Sequence, residues 1–426
     1  MLLQCQLAAP SLSFIMLSHP FARLLIYRAG STLSYQILAV TAGWHIYSIT
    51  HDVVSLGLLG LAEVLPYFCS SLFAGHAVDV LSKRWLAIAG CACHVLIAMA
   101  MVLVVAIAGT SSEASQVIPL WIYAAVGVAG LARSLLRPSY QAMLVRILKR
   151  EQLARAAAIG TVVFDISLVT GPMLGGFLIA WTGVITAYVA TGLCALIAIS
   201  ALLLLRYEEP AYQGSGLSVF ASIAEGLKFV FSTQIMLAAI TLDMFAVLFG
   251  GAVAVLPAFI HEILNGSPEN LGLLRAMPAL GSILISLWLT RAPLHRNSGK
   301  IMMLSVAGFG LATIAFGFSR SLWVAAACLF LTGLFDGVSV VLRHTILQLV
   351  TPQNMQGRVS AINGLFIGSS NELGALESGI AADLMGLAPS IVFGGSMTLV
   401  VVAISWIAAP RLRELHVRDL HARPAS

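Results

Sequence analysis

The sequence predicts an all-α integral membrane protein with twelve transmembrane helices, laid out as two six-helix halves that repeat in the same orientation. Three observations predict it. Of 426 residues, 59% are hydrophobic and only 10% charged, against roughly 25% charged in soluble domains, so polar groups are too few to cover a water-facing surface. The length holds about twelve apolar helices of ~20 residues joined by short loops. The third observation is a stretch that the chain writes twice. Arg137-Pro138, Leu153-Ala154-Arg155-Ala156-Ala157-Ala158-Ile159 and Gly171-Pro172-Met173-Leu174-Gly175-Gly176 return as Arg343-His344, Gln356-Gly357-Arg358-Val359-Ser360-Ala361-Ile362 and Gly374-Ala375-Leu376-Glu377-Ser378-Gly379. Arg343 lies 206 positions after Arg137, and from Arg155 to Gly176 the offset is a constant 203, so one three-residue indel relates the copies. Ser55-Leu56-Gly57-Leu58-Leu59 likewise returns as Asn270-Leu271-Gly272-Leu273-Leu274, 215 positions on. A period this long marks two similar halves rather than a solenoid.

Taken in order, residues 1–18 are mildly apolar but lack a basic start followed by a cleavage site, so they do not read as a signal peptide, and Met16 is an alternative start. Apolar runs at about 29–47, 54–75, 86–108, 118–143, 157–180 and 184–205 supply the first six helices. The polar turn from Gly75 to Arg84 separates the second from the third. Residues 206–232 open with Arg206-Tyr207-Glu208-Glu209-Pro210 and read as the linker that the repeat requires. Runs at about 234–260, 270–291, 301–318, 321–349, 359–382 and 389–408 supply six more. The expected organisation is a first half over 1–206, a midpoint loop over 207–232, a second half over 233–410 and a basic tail over 411–426. Nearly all six cysteines fall inside apolar runs, and Cys91 and Cys93 point about 200° apart on a helix, so they read as packing thiols rather than ligands.

Lysines and arginines orient the bundle. With the N-terminus inside, eighteen of them fall on inside segments, from Arg23 and Arg28 through Lys83, Arg84 and Arg358 to Arg423, against Arg320 alone outside. The positive-inside rule then makes both termini and the midpoint loop cytoplasmic. The net charge of +5 is a topological signal and not a nucleic-acid one. The remaining cations, Arg133, Arg137, Arg275 and Arg343, lie within helices.

Two parallel six-helix repeats match the halves of major facilitator transporters, and particular residues carry the resemblance. Gly75-x-x-x-Asp79-x-x-x-Lys83-Arg84 resembles the signature loop of that superfamily, with Val80 and Ser82 departing from its pattern. Gly171-Pro172-x-x-Gly175-Gly176 resembles the end of the antiporter motif of drug exporters. Arg358 to Asn363, Ser370 to Gly374 and Glu377-Ser378-Gly379 resemble the branch that contains enterobactin and macrolide exporters. The resemblance implies a cytoplasmic latch in which Gly75, Asp79, Lys83 and Arg84 meet the eleventh helix near Arg358. A carboxylate one turn beyond a glycine suits the N-terminus of a closely approaching helix; the alternative is a charged turn that sets topology only. The repeat makes Arg137 and Arg343 equivalents near the cytoplasmic ends of the fourth and tenth helices, which suits a structural gate. Gly171 and Gly175 form a small-residue face for tight packing, and Pro172 deletes a backbone hydrogen bond; in exporters, by resemblance, this bend with Gly176 seals one side of the pathway.

Intramembrane carboxylates are costly unless they pair or line water. Glu63, Asp165, Asp243, Asp336 and Glu372 lie well inside their helices and are the candidates for carrying a coupling proton, while Glu377 is nearer the end. Asp243 and Asp336, with Tyr35 and Gln36, gain weight as pathway residues because the first, fourth, seventh and tenth helices line the cavity in the resembled superfamily; Asp165 shares its helix with Gly171-Pro172. These three rank ahead of Glu63 and Glu372. Asp336 and Arg343, seven apart, share a helix face, and the alternatives are that one is the other's partner or that each faces a different helix. No nucleotide-binding loop, metal spacing or catalytic constellation appears, so neither an enzyme nor a resident cofactor is expected. The expectation is a monomeric secondary transporter of a bacterial inner membrane, exporting an amphipathic small molecule such as a drug or siderophore with protons as coupling ion. An uncoupled lipid or solute facilitator and a non-transporting receptor are the alternatives.

Overall fold

The structure, a computed structural model, describes residues 19–108, 117–148, 150–205, 219–291, 297–352 and 355–416, at 19, 72, 74–76, 78–80, 108, 150–151, 154, 219–223, 356–358 and 360–361 for the backbone alone. The first six spans are α1 (His19–Thr50), α2 (Val53–Val80), α3 (Lys83–Ala108), α4 (Ile118–Ile147), α5 (Arg150–Thr182) and α6 (Val184–Leu204). After α7 (Val219–Ser232), the seventh span is α8 (Gln234–Phe249) continued by α9 (Leu256–Glu262). Then follow α10 (Pro268–Arg291), α11 (Ser298–Gly317), α12 (Leu322–Val350), α13 (Gln356–Met385), α14 (Leu387–Ala408) and the short α15 (Pro410–Arg413). Nine of the described helices are long and apolar enough to cross a membrane alone. The first, seventh and eleventh spans are not among them, being rich in polar residues or, in α8–α9, broken. The chain is a multi-pass membrane protein of the predicted twelve-helix class.

Local chemistry sets the ends. Asp52 caps α2, accepting hydrogen bonds from the backbone N–H groups of Val54 and Ser55, each at 3.0 Å. The break between α5 and α6 is Gly183 at φ +86° and that between α13 and α14 is Gly386 at φ +90°, left-handed conformations that favour glycine. These two glycines are themselves 203 positions apart, so the repeat extends into its turns.

Two expectations need correction. The stretch read as linker contains α7, which meets α8 at 98°; its Val230 is buried against Met236, Leu347 and Val359 while Glu225 and Lys228 are exposed. The polar character of 206–216 hid this shorter amphipathic segment. The run 234–260 is not one helix: it stops at Gly250-Gly251, whose lack of side chains admits the Phe309 ring and the Gly374 carbonyl.

Within the first six spans α1 packs on α5 and α6, and α4 on α2 and α3; within the last six α12 packs on α10 and α11, and α8 on α13. Across the halves α2 packs on α13 and α5 on α10. Among the described residues the apolar core is shared between the halves at one end only. There Tyr47, Leu56 and Ile179 join Phe259, Leu271 and Leu387 in one cluster. At the end where α1 begins and α14 finishes, Tyr27, Tyr140 and Met143 form a core of the first half, and Met302, Leu342 and Leu412 one of the second. Among the described residues, then, the halves share apolar packing at the far end and keep separate cores toward the end that carries residues 19 and 416, with the cleft as the seam between them.

Candidate functional site

Midway along the cleft, three helices place polar side chains on one guanidinium carried by a fourth. Arg133 of α4 donates through Nη1 to Glu63 Oε1 of α2 at 2.5 Å, to the Tyr35 hydroxyl of α1 at 2.9 Å and to Glu372 Oε1 of α13 at 3.4 Å. Tyr35 in turn donates to Glu63 Oε1 at 2.5 Å. The guanidinium carbon lies 5.1 Å from the ring centres of both Tyr35 and Tyr67, close enough for cation–π attraction. Two carboxylates thus share one cation. Glu63 belongs to the first half and Glu372 to the second, and their side chains are 10% and 16% exposed against 34% for Arg133, so the buried carboxylates bridge the halves through a partly open guanidinium. Beside Tyr35, with ring centres 6.5 Å apart, lies His94 of α3, fully buried and with neither ring nitrogen hydrogen-bonded.

A second ionic group lies inside the last six spans. Arg343 of α12 pairs with Asp243 of α8, the two side chains being 2% and 7% exposed. Asp336 lies two turns before Arg343 and lines a small cavity with Asp243, Phe309 and Ser339, whose buried hydroxyl has no partner. Asp165 is half-buried on α5, in electrostatic reach of Arg28. Arg137 is exposed. Gln36 is 8% exposed with its Cβ in the position that a side chain at Gly171 would meet, so it packs between α1 and α5.

The glycines expected on the fifth helix divide between two neighbours. A Cβ on Gly171 or Gly175 would meet Gln36 or Ile37 of α1, whereas one on Gly176 would meet Gly272 of α10 at 2.9 Å. On the other side of the bundle a Cβ on Gly379 would lie 2.8 Å from Gly57 of α2. Since Gly379 is the repeat of Gly176 and Gly272 that of Gly57, the two contacts are images of one another, and both lie in the closed part of the cleft. Pro172 presents its carbonyl to Gly272. At the opposite end, Lys83 Nζ donates to the Leu81 carbonyl at 3.3 Å and Arg84 to that of Leu203 at 2.6 Å. Gly75, Asp79 and Arg358 are placed as helix backbone, and their contacts lie outside the described residues.

The sequence reading missed His94 and Tyr67. An uncharged imidazole and a phenol in apolar runs carry no insertion cost that sets them apart. Arg133 was visible as an intramembrane cation, but its partners sit 70 and 239 positions away.

Comparison with known proteins follows this geometry. A family model described as "Transmembrane secretion effector" matches residues 14–425. The multidrug efflux pump Tap of Mycolicibacterium fortuitum is 26% identical over 399 residues, spanning 91% of this chain and 94% of that one. The enterobactin exporter EntS of Shigella flexneri is 26% identical over 395 residues and 91% of each chain. Among solved structures, the xylose transporter XylE from E. coli superposes with a TM-score of 0.68 at 11% identity, covering 94% of this chain and 98% of that chain, which establishes the shared fold.

Proposed function

Because the chain belongs to the transmembrane secretion effector family of major facilitator transporters, whose members compared above are transporters and not enzymes, we propose that it exports an amphipathic small molecule against its gradient in exchange for protons, by alternating access. The named activities of the relatives, drug efflux and enterobactin export, support a cargo of that kind. With both termini cytoplasmic, as eighteen inside basic residues support, the cleft faces the cytoplasm of a bacterial inner membrane and the glycine contacts close the periplasmic side.

One observation carries the coupling: Glu63 and Glu372, from opposite halves, share the single guanidinium of Arg133. Two ionised carboxylates on one cation leave a net negative charge in a low-dielectric site, which a bound proton removes. Parting the halves on the periplasmic side carries Glu372 away from Arg133 and into water. Its proton affinity then differs between the two states, as exchange requires. This favours Glu372 with Glu63 over Asp165, Asp243 and Asp336. Asp243 is already balanced by Arg343 within one half, and among the described residues neither Asp165 nor Asp336 forms an ion pair between the halves.

The test uses inside-out vesicles with enterobactin and ethidium as probes, with and without an imposed pH gradient. Glu372→Gln abolishes gradient-driven uptake of the transported probe yet keeps downhill exchange. If Glu372→Gln and Glu63→Gln both retain gradient-driven uptake, the uncoupled facilitator takes its place. If the wild type moves neither probe, the receptor reading does.

A further inference from the structure

Toward the open end of the cleft, the same helix faces carry two arginines that the coupling does not use. Arg28 lies seven residues before Tyr35 on α1, and Arg137 four residues after Arg133 on α4, so both continue the cleft-facing stripes toward the cytoplasmic mouth. The guanidinium of Arg28 is held 4.5 Å from the ring centres of Tyr140 and of Phe164. Its Nε is buried with no acceptor, and the Tyr140 hydroxyl beside it is buried without a partner as well. Among the described residues neither Arg28 nor Arg137 makes an ion pair. Arg28 has Arg137 and Asp165 in electrostatic reach, and Arg137 also reaches His344 of α12 across the cleft. Arg28 is thus held between two rings with an unpaired Nε, in electrostatic reach of a second arginine and of one carboxylate that, among the described residues, pairs with neither. Such an arrangement is costly inside a membrane protein unless an anion completes it.

We propose that Arg28 and Arg137, with the rings of Tyr140 and Phe164, form an anion-binding subsite that takes a carboxylate, phenolate or sulfonate borne on an aromatic cargo. The guanidinium fork of Arg28 matches a two-oxygen anion through paired hydrogen bonds. The flanking rings offer stacking area to the aromatic body. Arg137, exposed at the mouth, meets the anion first and hands it inward to Arg28. The subsite deepens the export reading and rests on it for the identity of the ligand as cargo, but it is tested without any gradient.

Full-length protein in nanodiscs is titrated with 2-naphthoate, its neutral amide 2-naphthamide, and the cation 2-naphthylmethylammonium. The wild type is expected to bind the naphthoate most tightly. Arg28→Gln and Arg137→Gln each weaken naphthoate by about tenfold or more, the scale of one charge-assisted contact, and leave the amide unchanged. Arg28→Lys recovers part of the loss. Because losing Arg137 breaks no ion pair, the ligand-free Arg137→Gln protein unfolds at or above the wild-type temperature, which a structural role for this arginine would not allow, whereas Arg28→Gln also gives up its contacts with the Tyr140 and Phe164 rings and unfolds somewhat lower. The proposal is overturned if the amide or the ammonium ion binds the wild type as tightly as the naphthoate, or if naphthoate affinity is unmoved in the folded Arg137→Gln protein. Naphthoate binding is read at equilibrium with no pH gradient, so failure of proton coupling and failure of this subsite are told apart.

Discussion

Breaking the Arg343–Asp243 pair leaves its surviving member ionised, buried and without a counter-charge. Removing one partner of such a pair costs about 3–5 kcal/mol, while replacing both with well-packed neutral groups is often close to neutral. Arg343→Met is therefore expected to lower the unfolding temperature of the detergent-solubilised protein by several degrees. Adding Asp243→Asn should restore most of it, and a double variant no better than the single would show that the pair does not hold α8 to α12. Both residues were legible in the sequence as charges inside apolar runs, but their pairing was not. The spacing of Asp336 and Arg343 shows that they share one face of α12, and says nothing of a carboxylate on another helix. The same holds at Arg133, whose two carboxylates come from helices that touch only after the halves have assembled.

Helix ends were legible wherever a single residue type forces the backbone. Gly183 and Gly386 sit where the apolar runs at 184 and 389 were expected to start, because only glycine adopts their φ at little cost. The break after Phe249 was not, since Gly250-Gly251 lies within an unbroken apolar run and is needed for the approach of α11 and α13 rather than for a turn. Among the glycine contacts between the halves, α5 against α10 leaves the least room for added bulk. A Cβ at Gly272 would lie 2.6 Å from the Pro172 carbonyl and 3.0 Å from the Met173 Cα, backbone atoms that cannot turn aside. Gly272→Leu is accordingly expected to hold this side of the cleft ajar while the helices still insert. A cysteine at Leu271, buried in the shared core, would then react several-fold faster with an impermeant maleimide added from the periplasm. An unchanged rate would mean that the seam yields elsewhere.

For the whole molecule, the repeat in the sequence forecasts the architecture closely because a duplicated helix pattern repeats the packing that it encodes. The first half binds its α5 glycines to α1, and the second binds Gly374 to α8, its own first span. The side toward which the halves lean together was not legible, since it depends on contacts between residues more than two hundred positions apart. Orientation in the membrane follows from the basic residues: a cytoplasm-active reporter fused after Ser426 should be active and a periplasm-active one silent, and the reverse result would invert the direction assigned to the cleft. The paired glycines at the closed side have a kinetic meaning as well. Gly176 on Gly272 and Gly379 on Gly57 have no rotamers, so docking them freezes no side-chain freedom, and undocking forfeits only dispersion of about 0.1–0.2 kcal/mol per atom pair. At these two points the seam shuts with no side chains to unlock, so the resistance to parting it is concentrated in the apolar side chains of the shared core around them, Tyr47, Leu56, Phe259 and Leu271.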